Sequence, residues 1–139
     1  MPFVTEITIA FGDTDPAGLV YFPNIFHYCH IAMERLFAEH CNREYSELIQ
    51  NDNLGFPTVR SDAEFLVPLV YGDTIRVEVE TLVIGNSSVK LQYSVWRTAD
   101  EVLCSRVQQV HVAMNLSSRR SIPIPPDIRR GLERLVQQA

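Results

Sequence analysis

The hydrophobic period of this chain changes twice, and that change restricts the fold more than any single residue does. Phe3 to Ala10 alternates, with Phe3, Thr5, Ile7 and Ile9 on one side and Val4, Glu6 and Thr8 on the other, as in a half-buried strand. From Pro23 the step becomes three and four: Phe26, Cys29, Met33, Leu36, Phe37 and His40 form one stripe, while His27, Glu34, Arg35 and Glu39 lie off it. This predicts a helix of about four to five turns. Pro23 suits its first position, where the missing N–H would have had no intrahelical partner. A shorter helix is expected over Tyr45 to Gln50, ended by Asn51-Asp52-Asn53. The period then returns to two. Pro57 to Leu69, Thr74 to Ile84, Ser87 to Thr98 and Val102 to Asn115 are rich in Val, Ile, Leu and aromatics. Turn signals at Tyr71-Gly72-Asp73, Gly85-Asn86 and Ala99-Asp100 separate them, which predicts four long antiparallel strands in a meander. Ile75, Val77 and Val79 alternate cleanly, as do Val89, Leu91, Tyr93 and Val95. Gln108-Gln109 breaks the last run, by a bulge or a partly polar contact. Ile122 to Pro126 is proline-rich, and Asp127 to Gln138 is expected to form a terminal helix.

An apolar helix stripe needs a large surface to cover it, and the only one available is an antiparallel sheet. The fold class is therefore α+β, a five-stranded antiparallel sheet with one long helix on one side. At 139 residues, 46% of them hydrophobic, residues 1–139 suit a single domain with one core. One sheet face or edge stays partly uncovered, so at least a dimer is expected. The net charge of −5 is spread along the chain with no basic stripe, which argues against nucleic acid. No leader-like N-terminus and no run of about 18 apolar residues is found, so no membrane span is expected. Cys29, Cys41 and Cys104 are odd in number and in no C-x-x-C spacing, which points to a reducing compartment, the cytoplasm.

Candidate chemistry concentrates in FGDTDPAGLVYFPN, residues 11 to 24. Asp15-Pro16-Ala17-Gly18 has the residue order of a type I turn, and Asp before Pro also suits a helix N-cap. The carboxylates precede a helix whose first N–H groups carry partial positive charge and suit an oxyanion. A carboxylate beside them suits attack on a carbonyl or activation of water, as acyl transfer requires.

This segment resembles the hotdog-fold acyl-CoA thioesterases of the 4-hydroxybenzoyl-CoA thioesterase type. FGDTDPAGLVYFPNIF at 11 to 26 carries the resemblance, with FLVPLVYGDTIRVE at 65 to 78 and VHVAMN at 110 to 115 in the same order. It implies a hotdog fold, in which the sheet wraps the helix, and a dimer whose sheets join edge to edge, or a dimer of such dimers. Active sites would lie at the subunit interface, with no metal or other cofactor. Carried over by motif position, Asp15 is the catalytic carboxylate, as nucleophile or general base. Backbone N–H groups of Tyr21 and Phe22 would hold the oxyanion, since Pro23 has none to offer. Gly18 would allow close approach of chain or substrate, and Asp13 would fix the loop.

Departures from the family pattern bear on the substrate. Phe22 stands where the thioesterases of the Tol-Pal cell-envelope system have histidine, which disfavours that branch. His30 stands where the 4-hydroxybenzoyl-CoA enzymes have an aspartate that meets the substrate hydroxyl. CHIAME, Cys29 to Glu34, instead resembles the C-H-x-A-x-E of 1,4-dihydroxy-2-naphthoyl-CoA thioesterases, and His30 would then bond a substrate hydroxyl. The arginines that grip CoA phosphates are replaced by Gly85-Asn86-Ser87-Ser88, leaving Ser87, Ser88 and Lys90 as candidates, with Arg60, Arg119 and Arg120 further off. The implied activity is hydrolysis of an aromatic, hydroxybenzoyl- or dihydroxynaphthoyl-type, or medium-sized acyl-CoA. The alternative is a non-catalytic acyl-CoA-binding or interaction module on the same scaffold.

Other constellations carry less. His27, His30 and Glu34 lie on one helix, but no further ligand motif joins them to make a metal site. No G-x-S-x-G elbow supports a serine triad, and the His-Phe-Pro-Gly signature of hotdog dehydratases is absent.

Overall fold

A computed structural model describes residues 1–136. In chain order the strands are β1 (Phe3–Thr8), β2 (Leu54–Gly55), β3 (Thr58–Phe65), β4 (Thr74–Ile84), β5 (Ser88–Arg97), β6 (Val102–Val112), β7 (Met114–Asn115) and β8 (Arg120–Ser121). The helices are α1 (Pro23–His40), α2 (Tyr45–Gln50) and α3 (Pro126–Glu133), with one 3₁₀ turn at Phe11–Asp13. The terminal helix expected to reach Gln138 ends at Glu133, and its last expected positions, 137 and 138, lie outside the described residues.

Five strands form an antiparallel sheet in the order β1-β4-β5-β6-β3, and β2, β7 and β8 form a small second one. Tyr28, Cys29, Ala32, Met33, Leu36 and Phe37 of α1 share one buried cluster with Val77, Val79, Leu91, Tyr93, Val95 and Val107 of the sheet. Register shifts at Thr58/Arg60, Thr81/Val83 and Val95/Trp96 add the local bends that let long strands curl around a helix. The α+β arrangement of a sheet around one long helix is the expected one.

Two expectations are corrected, and a third that left two alternatives is decided between them. The meander holds only for β4-β5-β6, because β3 pairs with β6 and not with its successor. Residues 66 to 73 instead cross the sheet end: Val67 N–H donates to Cys104 O (3.1 Å) and Arg97 Nη1 to Pro68 O (3.4 Å) before Ile9 N–H meets Asp73 O (2.8 Å). The helix stripe is also rotated, with Ile25, Tyr28 and Ala32 buried while Phe26 and His40 are only half-buried. Hydrogen bonds from Asn24 and Tyr28 to Asp13 fix that rotation. Gln108-Gln109, finally, is a polar contact and not a bulge: Gln108 Nε2 donates to Gln92 Oε1 (3.0 Å), and buried Gln109 Nε2 to Ser61 Oγ (3.2 Å).

The helix end is closed by α3. His40 Nε2 donates to Gly131 O (3.0 Å), Thr81 Oγ1 to Leu132 O (2.8 Å), and Arg43 pairs with both Asp127 and Asp52. A Cβ at Gly131 would overlap Cys41 Sγ. Gly131→Ala is expected to lower stability by about 1–3 kcal/mol, with partial recovery in Cys41→Ala, both read from urea denaturation.

The core also holds a polar chain that sequence reading passed over. His111, 1% exposed, bonds Tyr93 OH through Nε2 (2.9 Å) and Thr58 Oγ1 through Nδ1 (3.2 Å). Burial pushes its pKa down to about 4, and His30 nearby acts in the same direction. An unfolded chain takes up this proton near the ordinary value of about 6.5, so between pH 6.5 and 4 the unfolded state binds more protons. Stability is therefore full above that window and falls through it as pH drops, by about 3 kcal/mol from this group. His40, also lowered chiefly by burial, adds in the same sense. Urea midpoints at pH 7 and pH 4.5 measure the loss; equal midpoints would contradict it.

Candidate active site

The FGDTDPAGLVYFPN segment folds as a small hairpin leading into α1. Thr14 bridges Val20, Asp15 N–H donates to Leu19 O (2.8 Å), and Gly18 N–H returns to Asp15 O (2.9 Å), closing the turn through Pro16-Ala17. Gly18 has φ +83° with open space around it, so its glycine is required by backbone conformation and not by crowding. The hairpin is tied to the crossing segment by Val20 N–H to Leu69 O (2.8 Å) and by the Leu19–Val70 bridge.

The two aspartates do different work. Asp13 Oδ2 accepts from Ala10 N–H (3.1 Å) and from Tyr28 OH (2.9 Å), and its carbonyl accepts from Asn24 Nδ2 (2.8 Å) and Tyr21 N–H (3.0 Å). It is the knot between loop and helix, and Tyr28's hydroxyl is held protonated first by burial and then by this carboxylate. Asp15 is half-buried, and Oδ1 accepts only from Ala17 N–H (2.9 Å). Oδ2 has no partner among the described residues. It lines an open hollow of about 540 Å³ with Phe11, Gly12, Thr14, Pro16 and Gly18. An edge-on Phe11–Tyr71 pair, centroids 5.6 Å apart, stands at the same hairpin.

The amides at the helix start can be accounted for one by one. Tyr21 N–H is occupied by Asp13 O, Pro23 has none, Asn24 N–H donates to Tyr21 O (2.8 Å) and Ile25 N–H to Phe22 O (3.1 Å). Among the described residues only Phe22 N–H in this stretch is left unbonded. Of the two amides expected to face an oxyanion, Tyr21's is closed by the bond that anchors the loop, and Phe22's is open among the described residues. Phe22 also lines a separate apolar cavity of about 210 Å³ between the hairpin, the start of α1 and the end of β3. Asp15 does not line that cavity.

The remaining candidates lie elsewhere. His30 is exposed two turns along α1, its ring edge-on to Tyr45 at 6.0 Å, and it lines neither hollow. Arg60 is exposed on β3 and paired with Asp62 (3.2 Å). Ser87, Ser88 and Lys90 sit at the β4–β5 turn, across the full 11-residue length of β4 from the crossing segment, so one chain does not bring them to Asp15. Arg119 and Arg120 are exposed at β8. Asn24, Tyr28 and Ser105 were missed; in sequence the first two read as helix positions and Ser105 as one more strand residue. Among the described residues no group of three or more His, Cys, Asp or Glu is placed to hold a metal ion, and no helix is long and apolar enough to cross a membrane.

The comparisons bear on the family and the fold. The model of the thioesterase-like superfamily matches residues 9–132. A 1,4-dihydroxy-2-naphthoyl-CoA hydrolase of Nostoc punctiforme is 32% identical over 96% of this chain and 88% of its own, and one of Thermosynechococcus vestitus is 31% identical over 95% and 89%. In fold, a 1,4-dihydroxy-2-naphthoyl-CoA thioesterase from Synechocystis superposes with a TM-score of 0.88 at 24% identity, over 97% of this chain and 98% of that one. With a family model spanning the hairpin, the long helix and the whole main sheet after β1, the chain belongs to the thioesterase-like superfamily.

Proposed function

We propose that the protein hydrolyses an aromatic acyl-CoA thioester to the free acid and CoA. The observation that carries the mechanism is the single open N–H at Phe22, at the start of an 18-residue helix and at the end of the hairpin that presents Asp15. A thioester carbonyl bound there gains a hydrogen bond plus the positive end of the helix as its oxygen becomes an oxyanion. Asp15, with Oδ2 unengaged, then either attacks the carbonyl carbon, so that the C–S bond breaks, CoA leaves as the thiolate and water opens the resulting anhydride to free acid and carboxylate, or takes a proton from an attacking water and returns it to the CoA thiolate as the C–S bond breaks. The aromatic class rests on the relatives, whose substrate is a dihydroxynaphthoyl ester.

The working unit in this reading is a homodimer. β3 is an edge strand of eight residues, exposed along nearly all its length, with Val59 and Phe65 about half exposed. An edge of this kind pairs readily with another strand. Edge-to-edge pairing of two copies reverses the second sheet, and this is the route by which Ser87, Ser88 and Lys90 of one copy would reach CoA bound at the other's hairpin. Three buried, unpaired cysteines support the cytoplasm as its location.

Thiol release from benzoyl-, hydroxybenzoyl-, dihydroxynaphthoyl- and fatty acyl-CoAs tests the activity, and sedimentation velocity tests the dimer. Turnover is expected on the aromatic esters. Binding without release on every ester would instead establish a non-catalytic acyl-CoA module.

A further inference from the structure

We propose that the cavity framed by Phe22, Ile25, Phe65, Leu66 and Ser105 is the acyl subsite, and that Ser105 Oγ reads a neutral polar substituent on an aromatic acyl group. This deepens the thioesterase reading and rests on it.

Ser105 lies on β6 opposite Val95 of β5 and Phe65 of β3, on the helix-facing side, and is 2% exposed. Among the described residues it is the only polar side chain lining the cavity. Its hydroxyl has no hydrogen-bond partner among the described residues. The sealed side-chain atoms without a partner among the described residues are Trp96 Nε1 and Arg106 Nε, whereas Ser105 Oγ opens onto the cavity. A ligand that fills the cavity and leaves this hydroxyl unbonded forfeits about 1–3 kcal/mol, so a ligand group that completes the bond is favoured there over one that does not. The apolar walls exclude a charged substituent, which would lose its hydration without a counter-charge.

Size and shape select a ring. At about 210 Å³ the cavity is smaller than the roughly 300–1,000 Å³ that takes a drug-sized ligand, so it suits the acyl part of a thioester and not the nucleotide. Phe65 stands edge-on to Phe22 (5.8 Å) and to Phe26 (6.1 Å), the geometry in which aromatic rings pack best. Phe22 joins the two functions, because its N–H is the open donor and its side chain is a wall of the cavity. A carbonyl bound at that N–H has its acyl substituent beside the cavity. His30, the residue that sequence reasoning assigned to a substrate hydroxyl, does not line it.

The test is a ratio. Wild type is expected to favour 3- or 4-hydroxybenzoyl-CoA over benzoyl-CoA in kcat/KM, and Ser105→Ala to reduce that ratio about tenfold, the worth of one hydrogen bond. The same ratio is measured by calorimetry with non-hydrolysable phenacyl thioethers of CoA bearing and lacking the ring hydroxyl. A ratio unaltered in Ser105→Ala, or a wild type indifferent to the hydroxyl, overturns the subsite. If wild type releases no thiol from any ester, the thioesterase reading fails, and the calorimetric ratio still decides the subsite on its own. Wild-type indifference counts against it even if the variant does not fold.

Discussion

Asp15→Asn is expected to lower kcat by about 10²–10⁴-fold, the range that removal of a positioned acid–base group produces. The fold should survive, because asparagine keeps an Oδ1 that accepts the Ala17 N–H, and the other carboxylate oxygen has no partner to lose among the described residues. Thiol release gives the rate, and sedimentation with thermal denaturation shows whether assembly and stability persist. Turnover near wild type would remove Asp15 from the mechanism. Asp13→Asn should behave differently: its carboxylate holds Ala10 and Tyr28, so its replacement acts first on the thermal midpoint.

The second large effect isolates a backbone atom. Phe22→Pro removes the open N–H at a residue whose φ, −54°, is one that proline adopts. Phe22→Ala removes the ring and keeps the N–H. If this amide holds the oxyanion, Phe22→Pro loses about 10²–10³-fold in kcat, whereas Phe22→Ala acts chiefly on KM through the cavity wall. Equal kinetic losses in both variants would assign the effect to the ring and exclude the amide. No intrachain hydrogen bond is sacrificed in either variant, since this N–H has no partner among the described residues, so both are expected to fold.

The legibility of this protein in its sequence follows the range of the forces involved. Period-two alternation in Thr74 to Ile84 matched β4 residue for residue, and Tyr45–Gln50 matched α2, because each pattern is written by near neighbours on one element. The partner of β3 was not legible. Nothing in Pro57 to Leu69 says whether its edge meets the next strand or the last one; that depends on the path of residues 66 to 73 across the sheet end. The rotation of α1 was likewise set from outside the helix, by Asp13.

The site divides in the same way. Sequence alone determined that Asp15 stands in a Pro-Gly turn ahead of a helix, and that Pro23 has no N–H to offer, since both are matters of covalent chemistry and local order. Only the tertiary structure decided which amide stays open, because Tyr21 is closed by a carbonyl eight residues earlier in the chain. It alone brought Ser105 of β6 beside Phe22, 83 positions apart, and placed His30 outside the cavity. A hydrogen bond satisfied or left open is a property of the folded neighbourhood, and linear spacing does not encode it.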